Sequence, residues 1–315
     1  MTGTTEIRRR YRSIIARPGL AISVGVYDGL SASIAAAAGF EVLTVGGYAA
    51  LGSMLGGPDI GQSNMRDYAD HNARICNAVD LPVTADADTG FGDVHNVRQA
   101  VRAFEAAGVA AIMISDQVFP NRCGYMPGKS VVPVEDMLAK LKAALDARRD
   151  GSLSIIARTD VRGVGSLDEA IERCQLYLDC GADLAKPQGV DREDEIRRAV
   201  AEVPCPFLAT LSQAAGKARL DFDDLERLGV ASVSLPSISL FAAARGVRDV
   251  LSRLARTRSL AAVEGELMPL DAYYELVGLS EETARELRYR DEAAHLVQAS
   301  RREQASREVQ PAPGP

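Results

Sequence analysis

From about residue 20 to residue 255, short apolar runs alternate with longer stretches whose hydrophobic positions recur with a helical period. The short runs predict strands at Ala21–Val26, Val42–Val45, Val83–Ala87, Ala111–Ser115, Ser154–Arg158, Leu184–Pro187, Phe207–Leu211 and Ser232–Leu235. The stretches between them predict helices at Leu30–Ala38, Met65–Val79, Asn96–Ala107, Val134–Ala147, Leu167–Cys180, Glu193–Glu202, Asp223–Leu228 and Leu240–Leu254. Helices stop at Ala-Gly-Phe (38–40), Ala-Gly-Val (107–109), Cys-Gly-Ala (180–182) and Leu-Gly-Val (228–230). A glycine just past a helix takes the left-handed cap conformation without a Cβ penalty. Successive βα units of this number predict an α/β fold, a (β/α)8 TIM barrel with its active site at the C-terminal ends of the strands. An open doubly wound sheet is the alternative, disfavoured by the number of units and the lack of a Gly-x-Gly-x-x-Gly turn.

Past residue 255 the pattern changes. Asp271–Val277 and Glu281–Ser300 read as helices, the second dense in Glu and Arg at i, i+3 and i, i+4 spacings. Residues 1–255 are therefore expected to form the catalytic barrel and 256–300 a C-terminal helical extension that packs on a neighbouring subunit. Residues 301–315, ending in a proline-rich run, are expected to be a disordered tail.

The chain has 315 residues, a length that suits a barrel with an extension, and its 47% hydrophobic content supports a large core. A net charge of −7 argues against a nucleic-acid surface. No apolar run is long enough for a bilayer. Met1 to Arg10 is polar, then basic, with no apolar segment behind it, so no secretory signal is read. Five cysteines without metal-type spacing suggest free thiols in a reducing cytoplasm. The expectation is a cytoplasmic enzyme for a small molecule, with neither nucleic acid nor membrane as partner.

The run Val83-Thr84-Ala85-Asp86-Ala87-Asp88-Thr89-Gly90-Phe91-Gly92 carries the most chemistry. Asp86 and Asp88 stand two apart at a strand's end, so strand alternation puts both carboxylates on one face. Such a pair suits Mg²⁺ or Mn²⁺, which bind through one or two protein carboxylates plus water and substrate. Solvated turn residues are the alternative. Polar residues near other predicted strand ends gather at the same mouth: Asp59, Asp116, Cys123, Arg158, Asp160, Lys186, Gln188 and Gln213.

"YDGLSA", "GGPDIG", "ADADTGFG", "DQVFPNRCGY", "IIARTD" and "SLDEAIER" resemble, in order and spacing, the isocitrate lyase / phosphoenolpyruvate mutase superfamily, and most of all its methylisocitrate lyase branch. The similarity spans roughly residues 18 to 255. It implies a (β/α)8 barrel, a homotetramer with a C-terminal helix exchanged between subunits, and Mg²⁺ with a 2-oxo or enolate carboxylate at the mouth. Family members make or break a C–C or P–C bond beside that carboxylate, where a divalent cation stabilises developing enolate charge. By position, Asp86 and Asp88 match the metal-side aspartates and Arg158 the arginine that binds a substrate carboxylate. Asp59 matches an aspartate on the segment after strand 2. Cys123 matches the gating-loop thiol that returns a proton to the departing carbanion, with Arg122 beside it to lower its pKa. A packed cysteine is the alternative, and it suits Cys76, Cys174, Cys180 and Cys205. The substrate surface is then expected from Gly46, Gly47, Tyr48, Asp59, Arg122, Gly124, Tyr125, Lys186, Gln188 and Thr210.

Departures from the family pattern are numerous. Gly46 replaces a hydroxyl residue, Ser115 a glutamate, and Tyr125 a histidine. Lys186-Pro187-Gln188 stands for Phe-Pro-Glu. Leu208-Ala209-Thr210-Leu211-Ser212-Gln213 has lost an asparagine and a glutamate. Lys186 is open to three readings: an ion pair with Asp160 or Asp183, a counter-ion for an anionic substrate, or a Schiff-base amine. Tyr48 and Tyr125 either shape a pocket or simply pack. His71, His95 and His295 read as surface residues. The implied activity is a Mg²⁺-dependent C–C lyase for a small 2-hydroxy or 2-oxo di- or tricarboxylate other than methylisocitrate. Other enolate reactions (decarboxylation, P–C cleavage, an aldol-type step) and an inactive binding barrel are the alternatives.

Overall fold

A computed structural model of the protein describes residues 3–212 and 220–308. After α1 (Thr4–Ala16), strands and helices alternate: β1 (Ala21–Gly25), α2 (Gly29–Ala37), β2 (Val42–Val45), α3 (Gly47–Leu55), α4 (Met65–Ala78), β3 (Val83–Asp86), α5 (Val94–Ala106) and β4 (Ala111–Ser115). The series continues with α6 (Val134–Ala147), β5 (Ser154–Thr159), α7 (Leu167–Asp179), β6 (Leu184–Pro187), α8 (Glu193–Glu202), β7 (Leu208–Thr210), α9 (Phe222–Arg227), β8 (Ser232–Leu235) and α10 (Ile238–Thr257).

All strand pairings are parallel, in the order β6-β5-β4-β3-β2-β1-β8-β7. This is the expected (β/α)8 barrel, nearly closed. β6 and β7 meet without a backbone ladder, and the seam is crossed instead by side-chain contacts such as Ala185 N–H to Cys205 Sγ at 3.5 Å. Strands covered by helices must be apolar on both faces, and β5 is buried along its whole length.

Local signals fix the helix ends. Asp28, Asp93, Ser166 and Asp221 close capping boxes at the starts of α2, α5, α7 and α9. The Asp93 box starts α5 at Val94, two positions before the apolar pattern alone implies. Each of the four glycine stops takes a left-handed φ, between 80° and 110°.

Two helices of the barrel unit are not apparent in the hydrophobic pattern. α1 comes from the segment that reads only as polar and basic. Its Tyr11, Ile14 and Ile15 are buried among Ala21, Val42, Ala111, Ile156, Leu184 and Leu208, where they plug the N-terminal end of the barrel. Its arginines latch it there. Arg8 donates to the carbonyls of Val109 and Glu105 and pairs with Asp150 at 2.8 Å; Arg12 donates to the Ser152 carbonyl and pairs with Asp183 at 2.7 Å. α3 follows β2 directly, and a short, small-residue helix of this kind carries little amphipathic signal.

The chain divides into two compact units, Met1–Ser252 and Arg253–Pro315. The second contains α11 (Leu270–Leu276) and α12 (Leu279–Glu308). α12 runs on to Glu308, through residues whose composition suggests a tail; residues 309–315 lie outside the described residues. Among the described residues no helix is long and apolar enough to cross a membrane.

Candidate active site

β3 ends at Asp86, and the chain then turns rather than continuing as a strand. Asp88 adopts φ 50°, and its N–H donates to Asp86 Oδ1 at 3.0 Å. This left-handed turn, not strand alternation, returns the Asp88 carboxylate to the cavity that Asp86 lines. A non-glycine residue is held in such a conformation only where its surroundings impose it. Lys140, buried on α6, donates to the Thr89 carbonyl at 3.3 Å and braces the turn from behind. Asp59 lies on the segment after α3 with its Oδ1 buried and without a hydrogen-bond partner. A Cβ at Gly47 would stand 2.9 Å from that carboxylate, so the first residue of α3 must be glycine for Asp59 to sit there.

Arg158, near the end of β5, faces this acidic group. Its Nη1 is 3.5 Å from Asp86, and Asp160 holds it from the side through Nη2 at 2.9 Å and Nε at 2.8 Å. Asp160 is fixed in turn by the Ser115 hydroxyl at 2.9 Å and by Lys129 at 3.8 Å. Asp160 therefore positions the arginine and does not line the cavity. Asp116 departs from the expected placement as well. It accepts from the Thr159 and Tyr177 hydroxyls, the Asp160 N–H and Arg173, tying β4 to β5 and α7 away from the mouth.

Crowded, buried acids titrate late. Burial, then Asp86, raises Asp59 to about 7, against the opposing pull of Arg158. Burial raises Asp86 despite Arg158, and burial with the Asp86 and Asp59 charges raises Asp88 well above the carboxylate range. The cluster holds more negative charge than Arg158 balances and includes an orphaned carboxylate oxygen, which fits the residues to a divalent cation. No three His, Cys, Asp or Glu side chains among the described residues converge closely enough to hold a metal by themselves. That suits a cation that takes one or two protein carboxylates and completes its sphere with water and substrate.

The loop between β4 and α6 closes over these groups. Its base is pinned by an antiparallel bridge between Gln117 and Val131. Its tip is pinned by Cys123 N–H donating to the Asp59 carbonyl at 3.2 Å and by Asn121 Nδ2 donating to Asp88 Oδ1 at 2.9 Å. A Cβ at Gly124 would lie 2.6 Å from Arg158 Nη2 and 2.9 Å from Gln188 Cγ, so this glycine lets the loop rest directly on the arginine. Cys123 lines the cavity, but its thiol is not lowered as the neighbouring Arg122 implies. Burial raises it; the Tyr125 N–H and Arg158 pull the other way, and Asp59 and Asp86 add to the rise. Tyr125 is pushed up to about 12, chiefly by burial. Both side chains are proton carriers, not anions, at neutral pH.

Deeper in the barrel lies Lys186 on β6. Its Nζ donates to Thr210 Oγ1 at 2.6 Å across the β6–β7 seam. The ion pair considered from sequence does not form. Asp183 is taken by Arg12 and Arg148, and Asp160 by Arg158 and Lys129. Burial, then the Arg158 charge, lowers Lys186 to about 7. Lys186, Gln188 and Thr210 line a cavity of about 110 Å³ together with Arg122, Tyr125, Gly46, Gly47 and Tyr48, the last packed edge-on against Phe241. All the candidate substrate-side residues thus reach one cavity. Gln213 lies outside the described residues.

Sequence reasoning missed Asn121, Lys129 and the inward hydroxyls Ser23, Thr44, Thr84, Ser232 and Ser234. Period-2 placement of Ser or Thr on strands otherwise apolar is the signal that finds the last group. His71 was read as a surface residue but is 5% exposed, with Nε2 unpartnered. All five cysteines are free.

Residues 12–255 match the family described as phosphoenolpyruvate phosphomutase. The chain is 33% identical over 270 residues to 2,3-dimethylmalate lyase of Eubacterium barkeri, covering 86% of this chain and 93% of the relative. It is 34% identical over 286 residues to 2-methylisocitrate lyase of Aeropyrum pernix, covering 91% and 92%. A structure of phosphonopyruvate hydrolase in complex with oxalate and Mg²⁺ superposes with a TM-score of 0.79 at 30% identity, covering 92% of this chain and 99% of that one. With its barrel and this match over residues 12–255, the chain belongs to the phosphoenolpyruvate phosphomutase family, within the isocitrate lyase / phosphoenolpyruvate mutase superfamily of enzymes.

Proposed function

We propose that the protein is a Mg²⁺-dependent C–C lyase for a small 2-hydroxy or 2-oxo di- or tricarboxylate, working through an enolate-type intermediate. The observation that carries this reading is the convergence of Asp59, Asp86 and Asp88 on Arg158 beneath the Cys123 loop. Asp86 and Asp88 would hold the cation, which when bound would supply positive charge to stabilise negative charge on the substrate; Asp59 lines the same cavity. Arg158, oriented by Asp160, pairs with a substrate carboxylate through its planar fork. The Cys123 loop excludes water from the bond being broken, and the protonated Cys123 thiol is placed to deliver a proton to the departing carbanion. Gln188 stands in the pocket where methylisocitrate lyases carry a glutamate, and Lys186 adds a cation. The substrate is accordingly more anionic on the β6–β7 side than methylisocitrate. We propose a homotetramer, with exposed Leu287, Tyr289, Leu296 and Val297 of α12 covered by a neighbouring copy; sedimentation as a monomer at micromolar concentration contradicts this.

A screen of 2-hydroxy tricarboxylates, dimethylmalate-like diacids, oxaloacetate and phosphonopyruvate, read as pyruvate or glyoxylate release, tests the function. Activity is expected with Mg²⁺ or Mn²⁺, and to vanish in Asp86→Ala and Asp88→Ala while the fold persists. Undiminished turnover in excess chelator overturns the reading.

A further inference from the structure

Lys186 is the cation that the proposed chemistry uses least and the structure isolates most. It is 6% exposed, on a strand inside the barrel, and it lines the same cavity as Arg158. Arg158 and Lys186 are register partners on adjacent strands, so two positive side chains stand together on one wall. Arg158 has Asp160 and Asp86 to balance it. Among the described residues Lys186 has no carboxylate in ion-pair contact, only a hydroxyl.

The direction of that hydroxyl contact matters. Ser234 Oγ donates to the Ala209 carbonyl at 3.2 Å, so its single proton is spent there. Thr210 Oγ1, 2.9 Å from Ser234 Oγ, must then be the donor of that pair. Its own proton is likewise committed, and toward Lys186 it can only accept. The chain runs one way, from Nζ through Thr210 and Ser234 to a backbone carbonyl. One N–H of the amine is held, and among the described residues Thr210 accepts from the amine without donating to it. An amine desolvated beside another cation is the arrangement that makes a lysine nucleophilic, and its lowered pKa of about 7 leaves a large neutral fraction near neutral pH.

We propose that Lys186 is a carbonyl-capturing amine, forming an imine with the 2-oxo carbon of a carboxylate anchored on Arg158. This rests on the 2-oxo-acid reading of the site above and puts an enamine in the place of its enolate, nitrogen taking the electron pair that the enolate oxygen would. The step balances within the cavity. The Nζ lone pair attacks the 2-oxo carbon, the carbonyl oxygen takes one proton from the amine and one from solvent and leaves as water, and a protonated imine remains. With oxaloacetate the bond between C3 and the outer carboxylate breaks, that carboxylate leaves as CO2, and the protonated imine takes the electron pair and becomes an enamine. The enamine carbon is reprotonated, and one water hydrolyses the imine to free the amine. No oxidant or further reactant is needed. Thr210, as acceptor, holds the amine at the β6–β7 side of the cavity.

Trapping tests this directly. The intact protein is incubated with pyruvate, and separately with oxaloacetate, with and without sodium borohydride, then analysed by intact mass and peptide mapping. A single reduced adduct on the Lys186 peptide, formed only with the hydride, is expected. Lys186→Met and Lys186→Arg, each checked for native circular dichroism, should form none. Lys186→Arg keeps the cation and so should bind oxalate within a few-fold of the parent, by calorimetry, while losing at least tenfold in any 2-oxo-acid turnover. Parent protein that binds oxalate and turns over substrate but yields no adduct overturns the imine and leaves the lyase reading standing. Adducts spread over other lysines, or full activity in Lys186→Arg, also overturn it. Clean trapping at Lys186 with no turnover of any acid in the screen supports the imine and overturns the lyase reading.

Discussion

Cys123 shows how an environment assigns a role to a side chain. A thiol raised by burial and by two nearby carboxylates is a poor nucleophile and keeps its proton at neutral pH, so it has one to give. Cys123→Ser should therefore bind substrate normally and lose about 10²–10⁴-fold in kcat, the usual worth of a positioned acid; steady-state kinetics with a carboxylate from the screen measures it. Lys186 makes a second prediction, through stability. Its folded pKa of about 7 lies below the ordinary 10.5, so between those values the unfolded chain binds more protons and stability rises with pH. Below about pH 7 both states are charged and the full cost of burying the ammonium remains. Lys186→Met should gain most in Tm over the parent at pH 6–7, and the gain should shrink as pH approaches 10. A gain that does not change with pH contradicts the shift.

At the scale of elements, the loop over the site depends on close approach. Gly124→Ala sets a Cβ against the Arg158 guanidinium and Gln188, so the loop must lift. We expect kcat to fall at least tenfold with Tm nearly unchanged, since the loop tip adds little to the core; equal activity means the loop does not close during turnover. The repeating strands and their helices were legible in the sequence because alternation, capping residues and glycine stops agree there. So were Asp86, Asp88, Arg158 and Cys123, which sit in motifs with fixed spacing. What was illegible has physical reasons. α1 hides its three apolar anchors among arginines whose charges are used as latches, not as a solvated face. Asp116 looks like a mouth residue because it lies at a strand end, yet four donors draw it backwards. The partners of Lys186 could not be read at all, since they depend on which acids the arginines of α1 and α6 claim first.

For the barrel as a whole, α1 plugs one end and the Cys123 loop covers the site at the other. Tyr11 is 2% exposed in that plug and touches the floor of the cavity. Tyr11→Ala should cost about 3–5 kcal/mol, as large aromatic truncations in cores do, read as a lowered midpoint in urea unfolding. A shift below about 1 kcal/mol means that α1 is only draped over the barrel. A floor sealed in this way also has a kinetic consequence. The Cys123 loop lies over the other end of the cavity, so the two fragments that the proposed cleavage would make inside cannot depart independently. The fragment on the mouth side leaves first, and the one against Arg158 and Lys186 waits behind it. Product inhibition should carry this queue as a signature: the inner fragment competes with substrate for the empty enzyme, whereas the outer one, rebinding to enzyme still holding its sibling, inhibits noncompetitively.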